Sequence, residues 1–391
     1  MKIHGKERRR SKMGVRLFIL FFLVSFICCK SSNENDSKQS SEEPLEVSSV
    51  RYAKGFNIAH FKGYDKLTVS KSYKGNNETF EYYLTNDSSF LPADFTGNAI
   101  ITPIKSIAVL SATYIPFIRS MKQLKSIVAV SEKNTIYDST IYNAATVDEI
   151  IDLGQPELNM EQTILLNPDV IMGFAIDAAS MRLLSELKRF GQQVLVNAEY
   201  MEPSPLAKAE WIKVFGLLYD DFELSETIFN QIEKDYLALK SLVKKAKNKP
   251  TVFTAAPWKG TWYVPGGNSF QAQLLNDAGA AYLWSDNMET VSLPLDFEVV
   301  LAAAINVDYW LNVSTFRSLE EMEQADERFA AFEAFKNKRV FNNTKTLTSY
   351  FGNDYWETGA ARPDLILADL IQIFHPELAQ TDSLTFYERL P

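Results

Sequence analysis

Short runs of consecutive apolar residues recur from residue 105 onward, and segments with helical spacing lie between them. Lys105–Leu110 (KSIAVL), Ser126–Val130 (SIVAV), Asp169–Gly173, Gln193–Asn197, Thr251–Ala255, Tyr309–Asn312 and Arg339–Phe341 read as strands buried on both faces. Ser111–Met121 reads as a helix capped by Ser111 or Thr113. Such alternation predicts parallel sheets with helices on both sides. Two regions depart from it. Residues 51–90 are rich in β-branched and aromatic residues, and KLTVS and TFEYYLTND flank the turn Lys74-Gly75-Asn76-Asn77, which predicts a hairpin. Leu206–Lys247 is helical by pattern apart from Asp220-Asp221, with Ile228, Ile232, Tyr236, Leu239 and Val243 repeating along one face.

The sharpest single unit is Pro156–Phe174 (PELNMEQTILLNPDVIMGF). Asn159 is a good N-cap, Gln162 completes a capping box, and Ile164, Leu165 and Leu166 give a short helix its apolar face. Pro168 forces Asn167 out of the helical region, and a buried strand follows Asp169. Glu161 lies in the first turn, where the helix dipole favours it. Leu295–Asn312 repeats the plan: Asp296 caps, Glu298 occupies the first turn, and Asn306-Val307-Asp308 leads into a strand. From Trp258 to Phe270 the chain reads WKGTWYVPGGNSF, followed by helical QAQLLNDAGA, with Ser269 as cap and Gly279 as left-handed stop. The lysine and Ser/Thr of a phosphate-binding loop are missing at the required spacing.

Taken together, the Asn-x-Glu…Asn-Pro-Asp-Val-Ile segment, IKSIAVLSATYIPF, GGNSF…LLNDAGA and the closing RPDLILADLIQIFHPEL resemble the periplasmic binding proteins of the iron-siderophore and vitamin B12 family, over roughly residues 100–378. That resemblance implies an α/β fold of two Rossmann-like lobes with parallel sheets, joined by a long interlobe helix and preceded by a β-hairpin. The implied divisions are a β-rich extension at 51–95, a first lobe at 96–205, a helical linker at 206–248 and a second lobe at 249–391. It also implies a monomer whose Glu161 and Glu298 dock on arginines of a dimeric ABC permease driven by its ATPase. The interval from glutamate to aspartate is longer in the second lobe, which leaves Glu298 the looser match.

Seven basic residues between Lys2 and Arg16 precede the apolar run Leu17–Ile27. That run falls well short of the ~20 residues a membrane span needs. It ends in Cys28-Cys29, the only cysteines of the chain, and resembles a bacterial lipoprotein signal comprising residues 1–28. Cys29 is the expected acylated residue, because cleavage there leaves small Cys28 at the preceding position. Polar residues 29–50 then form a flexible tether. These features put the protein in the cell envelope, held to a membrane through lipid and facing the periplasm. Removing the signal leaves 33 basic against 48 acidic side chains. So acidic a chain argues against nucleic acid and against direct binding of anionic lipid.

Beyond the signal the only histidines are His60 and His375, so a histidine-rich metal site is excluded and no cofactor is expected. No nucleophile–base pair stands out, which argues against an enzyme. The lobe-facing loops instead carry Tyr114, Tyr137, Trp258, Trp262, Tyr263, Tyr350, Tyr355 and Trp356. Rigid aromatic faces suit a bulky, partly flat ligand. Arg317 offers a bidentate hold on an anionic group. The expected ligand is an iron-siderophore-like chelate, with a corrinoid or haem as the alternative. An enzyme processing such a chelate and a receptor that does not transport are the readings from other classes.

Overall fold

The computed structural model of the protein describes residues 44–47, 50–91, 95–154, 157–379 and 382–391. Cys29, the signal segment, most of the tether and Pro156 lie outside the described residues. The first sheet is built by β1 (Glu46–Val47), β2 (Phe56–Phe61), β3 (Tyr64–Ser70), β4 (Thr79–Thr85) and β5 (Asn98–Ile101), in that order. The expected hairpin is β3–β4. It forms part of this larger sheet, because β2 adds antiparallel on one side and β5 parallel on the other.

The next sheet is wholly parallel: β6 (Ile107–Val109), β7 (Ile127–Val130), β8 (Ile151–Asp152), β9 (Val170–Gly173) and β10 (Val194–Val196), ordered β10-β9-β6-β7-β8. Its strands are almost entirely buried, as continuous apolar runs demand. Four helices connect them: α1 (Ile115–Ser120), α2 (Ser139–Thr146), α3 (Met160–Leu166) and α4 (Ala178–Arg189). Asn159 caps α3 by accepting from the Gln162 N–H at 3.0 Å, and Asn167 leaves the helix in the left-handed region at φ 44°. The apolar face of α3 differs from the expected one. Thr163 is buried, whereas Leu165 is 77% exposed and lies one turn beyond exposed Glu161.

α5 (Pro205–Glu210) and α6 (Ile212–Leu218) are buried on every side, and α7 (Phe222–Val243) starts at the Asp221 cap. Lys213 of α6 reaches Glu226 on α7. Near the other end of α7, Tyr236 and Lys240 both bond Asp277 of the second lobe. The helix therefore joins the buried α5–α6 segment to the second lobe. Two buried carboxylates tie the N-terminal sheet to this region. Glu210 accepts the backbone N–H groups of Arg51, Tyr52 and Ala53, and Glu202 accepts those of Lys54 and Gly55.

The second lobe contains β11 (Thr251–Thr254), β12 (Pro257–Trp258), β13 (Thr261–Val264), α8 (Phe270–Asp277), β14 (Ala281–Tyr282), β15 (Leu293–Asp296), α9 (Phe297–Ala304), β16 (Tyr309–Leu311), α10 (Leu319–Ala325), α11 (Glu333–Lys336), β17 (Val340–Asn342), α12 (Asp354–Glu357), α13 (Pro363–Phe374) and β18 (Glu388–Arg389). Its main sheet runs β14-β11-β16-β17-β18, parallel except for β18. The repeated aspartates do the same work in each lobe. Asp169 accepts the N–H groups of Lys105 and Ser106 at 2.7 and 2.9 Å, and Asp308 accepts the Thr251 N–H at 2.8 Å. Each pins the start of its lobe's first strand. Asp296 precedes α9 but its side chain makes no capping bond. Gly266 and Gly267 fit a close backbone approach: a Cβ on either would come within 2.2 Å of the Glu289 or Asn287 carbonyl oxygen. Residues 43–391 form one compact unit. Among the described residues no helix is long and apolar enough to cross a membrane.

Candidate functional site

In the first lobe β6 and β9 are neighbours, but the chain leaves them in opposite directions, β6 toward β7 and β9 toward β10. Ligands in open α/β sheets bind beyond the carboxyl ends of the strands at such a reversal. A cavity of about 320 Å³ lies there. Leu110, Ser111, Ala112 and Thr113 line it just after β6, Ser131, Glu132 and Thr135 after β7, and Phe174 after β9. Thr113 Oγ1 donates to Glu199 at 3.0 Å, and Lys208 binds the same buried carboxylate at 3.3 Å. Glu132 takes a left-handed conformation, φ 57°, with its N–H on Asp152, which turns the chain across the end of the sheet.

The second lobe supplies the facing wall: Phe351, Asn353, Trp356 and Glu357. Phe351 is 70% and Trp356 53% exposed, so both rings have surface left for a ligand. Asn353 caps α12 through the Tyr355 N–H and ties its amide to the Asn343 carbonyl. Gly352 lets this loop meet the first lobe, since a Cβ there would come within 2.3 Å of the Ile136 carbonyl oxygen. Beside it, Tyr350 stacks on Tyr142 of α2 with ring centroids 3.5 Å apart.

A charged seam completes the contact between lobes. Glu357 accepts the Tyr137 N–H at 2.6 Å and the Asp138 N–H at 3.1 Å. Arg119 donates to Glu357 at 3.2 Å and to Asp138 at 2.9 Å. Burial is the dominant influence on Glu357 and pushes its carboxyl up to about 7, against the opposing pull of the two N–H donors and Arg119. Burial likewise raises the neighbouring Asp354.

The residues expected to bind ligand fall into three groups. Trp356 lines the cavity, and half-buried Tyr137 and Tyr350 lie at the seam beside it. Trp258, Tyr263 and Arg317 do not line it. Trp258 is 62% exposed at a hairpin tip under the Lys259 ammonium, and Tyr263 lies beside it. Exposed Arg317 reaches the Leu347 carbonyl. Trp262 and Tyr114 require correction, because both are fully buried and have no surface to give a ligand. Strand alternation turns Trp262 inward, where its indole N–H donates to the Thr254 carbonyl among Phe253, Trp310 and Phe332. Tyr114 packs near Phe215, and burial raises its phenol well above the ordinary value. Tyr355 is also core.

Counting aromatic residues in loops missed the polar lining. Ser111, Ser131 and Phe174 are the first or second residues beyond their strands, so reading each strand end would have found them. Glu357 has no sequence signal, because its partners come from far along the chain. Glu161 is exposed, while Glu298 is exposed but already 3.5 Å from Arg328. No group of three or more His, Cys, Asp or Glu suited to a metal ion occurs among the described residues.

Two α/β lobes meeting at a ligand-sized cleft suit the capture of a solute. The sequence model of the family described as periplasmic binding protein matches residues 107–347, more than half of the chain, and the chain belongs to that family. Its members are periplasmic binding proteins and not enzymes. The chain is similar to the uncharacterized lipoprotein MJ0878 of Methanocaldococcus jannaschii, with 25% identity over 92% of each chain. In fold it is similar to a periplasmic heme-binding protein from Pseudomonas aeruginosa (TM-score 0.57, 16% identity, 74% of this chain and 98% of that one). It is also similar to a possible iron-binding, periplasmic solute-binding protein from Staphylococcus epidermidis (TM-score 0.55, 18% identity, 70% and 100%).

Proposed function

We propose that this protein captures a metal chelate of the siderophore kind in the cleft between its lobes and delivers it to an ABC permease. One observation carries the reading: a cavity at the β6/β9 reversal is walled by Phe174 on one lobe and by exposed Phe351 and Trp356 on the other. Similar proteins are named for heme and for iron, which supports a metal-bearing ligand. The cavity, about 320 Å³, lies at the small end of the usual 300–1,000 Å³ for ligand sites.

Exposed Glu161 with Leu165 on α3, and Glu298 on α9 with Ile305 just past its end, supply one acidic and apolar patch per lobe for a dimeric permease. A lipid on Cys29 is the proposed anchor, in keeping with the lipoprotein relative, and puts the protein in the cell envelope. Two acyl chains would hold it stably where one would not. The cleft is tested by titrating a ferric trihydroxamate against tryptophan fluorescence. Aromatic contacts contribute roughly 0.5–1.5 kcal/mol beyond area burial, so the Phe351→Ala, Trp356→Ala double variant is expected to lose at least about tenfold in affinity. Unchanged affinity would put the ligand elsewhere.

A further inference from the structure

We infer that the cleft selects uncharged or cationic chelates and turns away anionic ones; this rests on the chelate-binding reading above. The lining is distinctive in its charge. Of the described residues around the cavity none is Lys, Arg or His, whereas two, Glu132 and Glu357, are carboxylic acids. The remaining polar groups are the hydroxyls of Ser111, Thr113, Ser131 and Thr135 and the amide of Asn353. Hydroxyls and an amide both donate and accept, which suits the carbonyl and hydroxamate oxygens of a neutral chelate.

Two cations beside this wall are already engaged. Arg119 is divided between Asp138 and Glu357, and Lys208 is held by Glu199 and the Glu199 carbonyl. The faces of Phe174, Phe351 and Trp356 carry the negative side of their ring quadrupoles, which attract a cation and not an anion. A chelate with several negative charges would therefore lose its hydration shell against the Glu132 carboxylate and ring faces, with no cation among the described residues that line the cavity. Specificity of this kind comes from repulsion built against the wrong partner.

The test compares purified full-length wild type with Glu132→Gln, an exposed residue whose replacement leaves the Glu357 seam intact. The probes are a neutral ferric trihydroxamate, a ferric trihydroxamate bearing a free ammonium group, and a ferric tris-catecholate with three negative charges. Each is titrated by fluorescence quenching at low and high salt. The two hydroxamates are expected to bind at least about a hundredfold more tightly than the tris-catecholate at low salt, since like-charge juxtaposition costs several kcal/mol. Salt and Glu132→Gln should both narrow that gap. Equal or tighter binding of the tris-catecholate overturns the charge inference and leaves the chelate-binding reading standing. A gap that neither salt nor Glu132→Gln alters overturns it too, because shape and not charge would then discriminate. If none of the three chelates binds, the chelate-binding reading itself falls and takes this inference with it.

Discussion

Glu357 joins the lobes with a carboxylate that is almost wholly inside the protein. Its folded value near 7 stands above the ordinary 4.5, so between those limits the folded protein holds a proton that the unfolded chain has lost. The contribution is present in full below the ordinary value and is lost as pH rises through 7. Linkage makes this worth on the order of 3 kcal/mol. Burial also raises Glu202 and Asp369, and these add to the same slope. The prediction is therefore a difference: thermal melts of wild type between pH 5 and 8 should fall more steeply than those of Glu357→Gln. Parallel slopes would remove Glu357 from that role. Tryptophans at two positions should behave in opposite ways. Trp262→Ala should cost about 3–5 kcal/mol of stability, as truncating buried aromatics does. Trp356→Ala should leave the melt nearly unchanged and weaken chelate binding. From sequence the two tryptophans looked alike, both aromatic in a loop-like stretch. Only the pairing of β13 with β15, which fixes which face of β13 turns inward, distinguishes Trp262 from its neighbour Tyr263.

At the level of elements, the two helix-turn-strand repeats were legible because their signals are local. A first-turn acid, an apolar run and a turn aspartate lie within a few residues of one another in both, and the first repeat adds the Asn159 cap and the Pro168 stop. Their aspartates were less legible, since Asp169 and Asp308 act on strands about sixty residues away. Hydrogen bonds to charged groups contribute about 1.5–3 kcal/mol, so Asp308→Ala should lower stability by roughly that much in a denaturant titration. The glutamates of the same repeats are predicted to govern transport and not binding. An exposed ion pair is worth only ~0–1 kcal/mol alone. Glu161→Ala should impair uptake of labelled chelate more than Glu298→Ala, because Glu298 already has Arg328 beside it and a permease arginine must compete. Calorimetry on both variants should return wild-type affinity for chelate. Loss of affinity would assign the glutamates to the cleft instead.

At the scale of the molecule, parallel sheets and a long helix followed from strand-helix alternation and one apolar stripe, and their arrangement as two lobes with the helix between them came from the family resemblance. What stayed hidden was how the N-terminal sheet attaches. Glu202 and Glu210 read as ordinary acids near or in a helical segment, yet between them they accept five consecutive backbone N–H groups. Glu210→Ala should cost about 3–5 kcal/mol, because it also removes a buried partner of Lys213. The central claim, that the seam between the lobes holds one metal chelate, is tested most directly by native mass spectrometry with an absorption spectrum. Wild type and the Phe351→Ala, Trp356→Ala double variant would be purified from cells supplied with iron. The account predicts one chelate per chain in wild type, with its charge-transfer absorption, and a bare chain in the double variant. A wild-type chain that never carries a chelate, or a double variant that keeps it, would contradict the account.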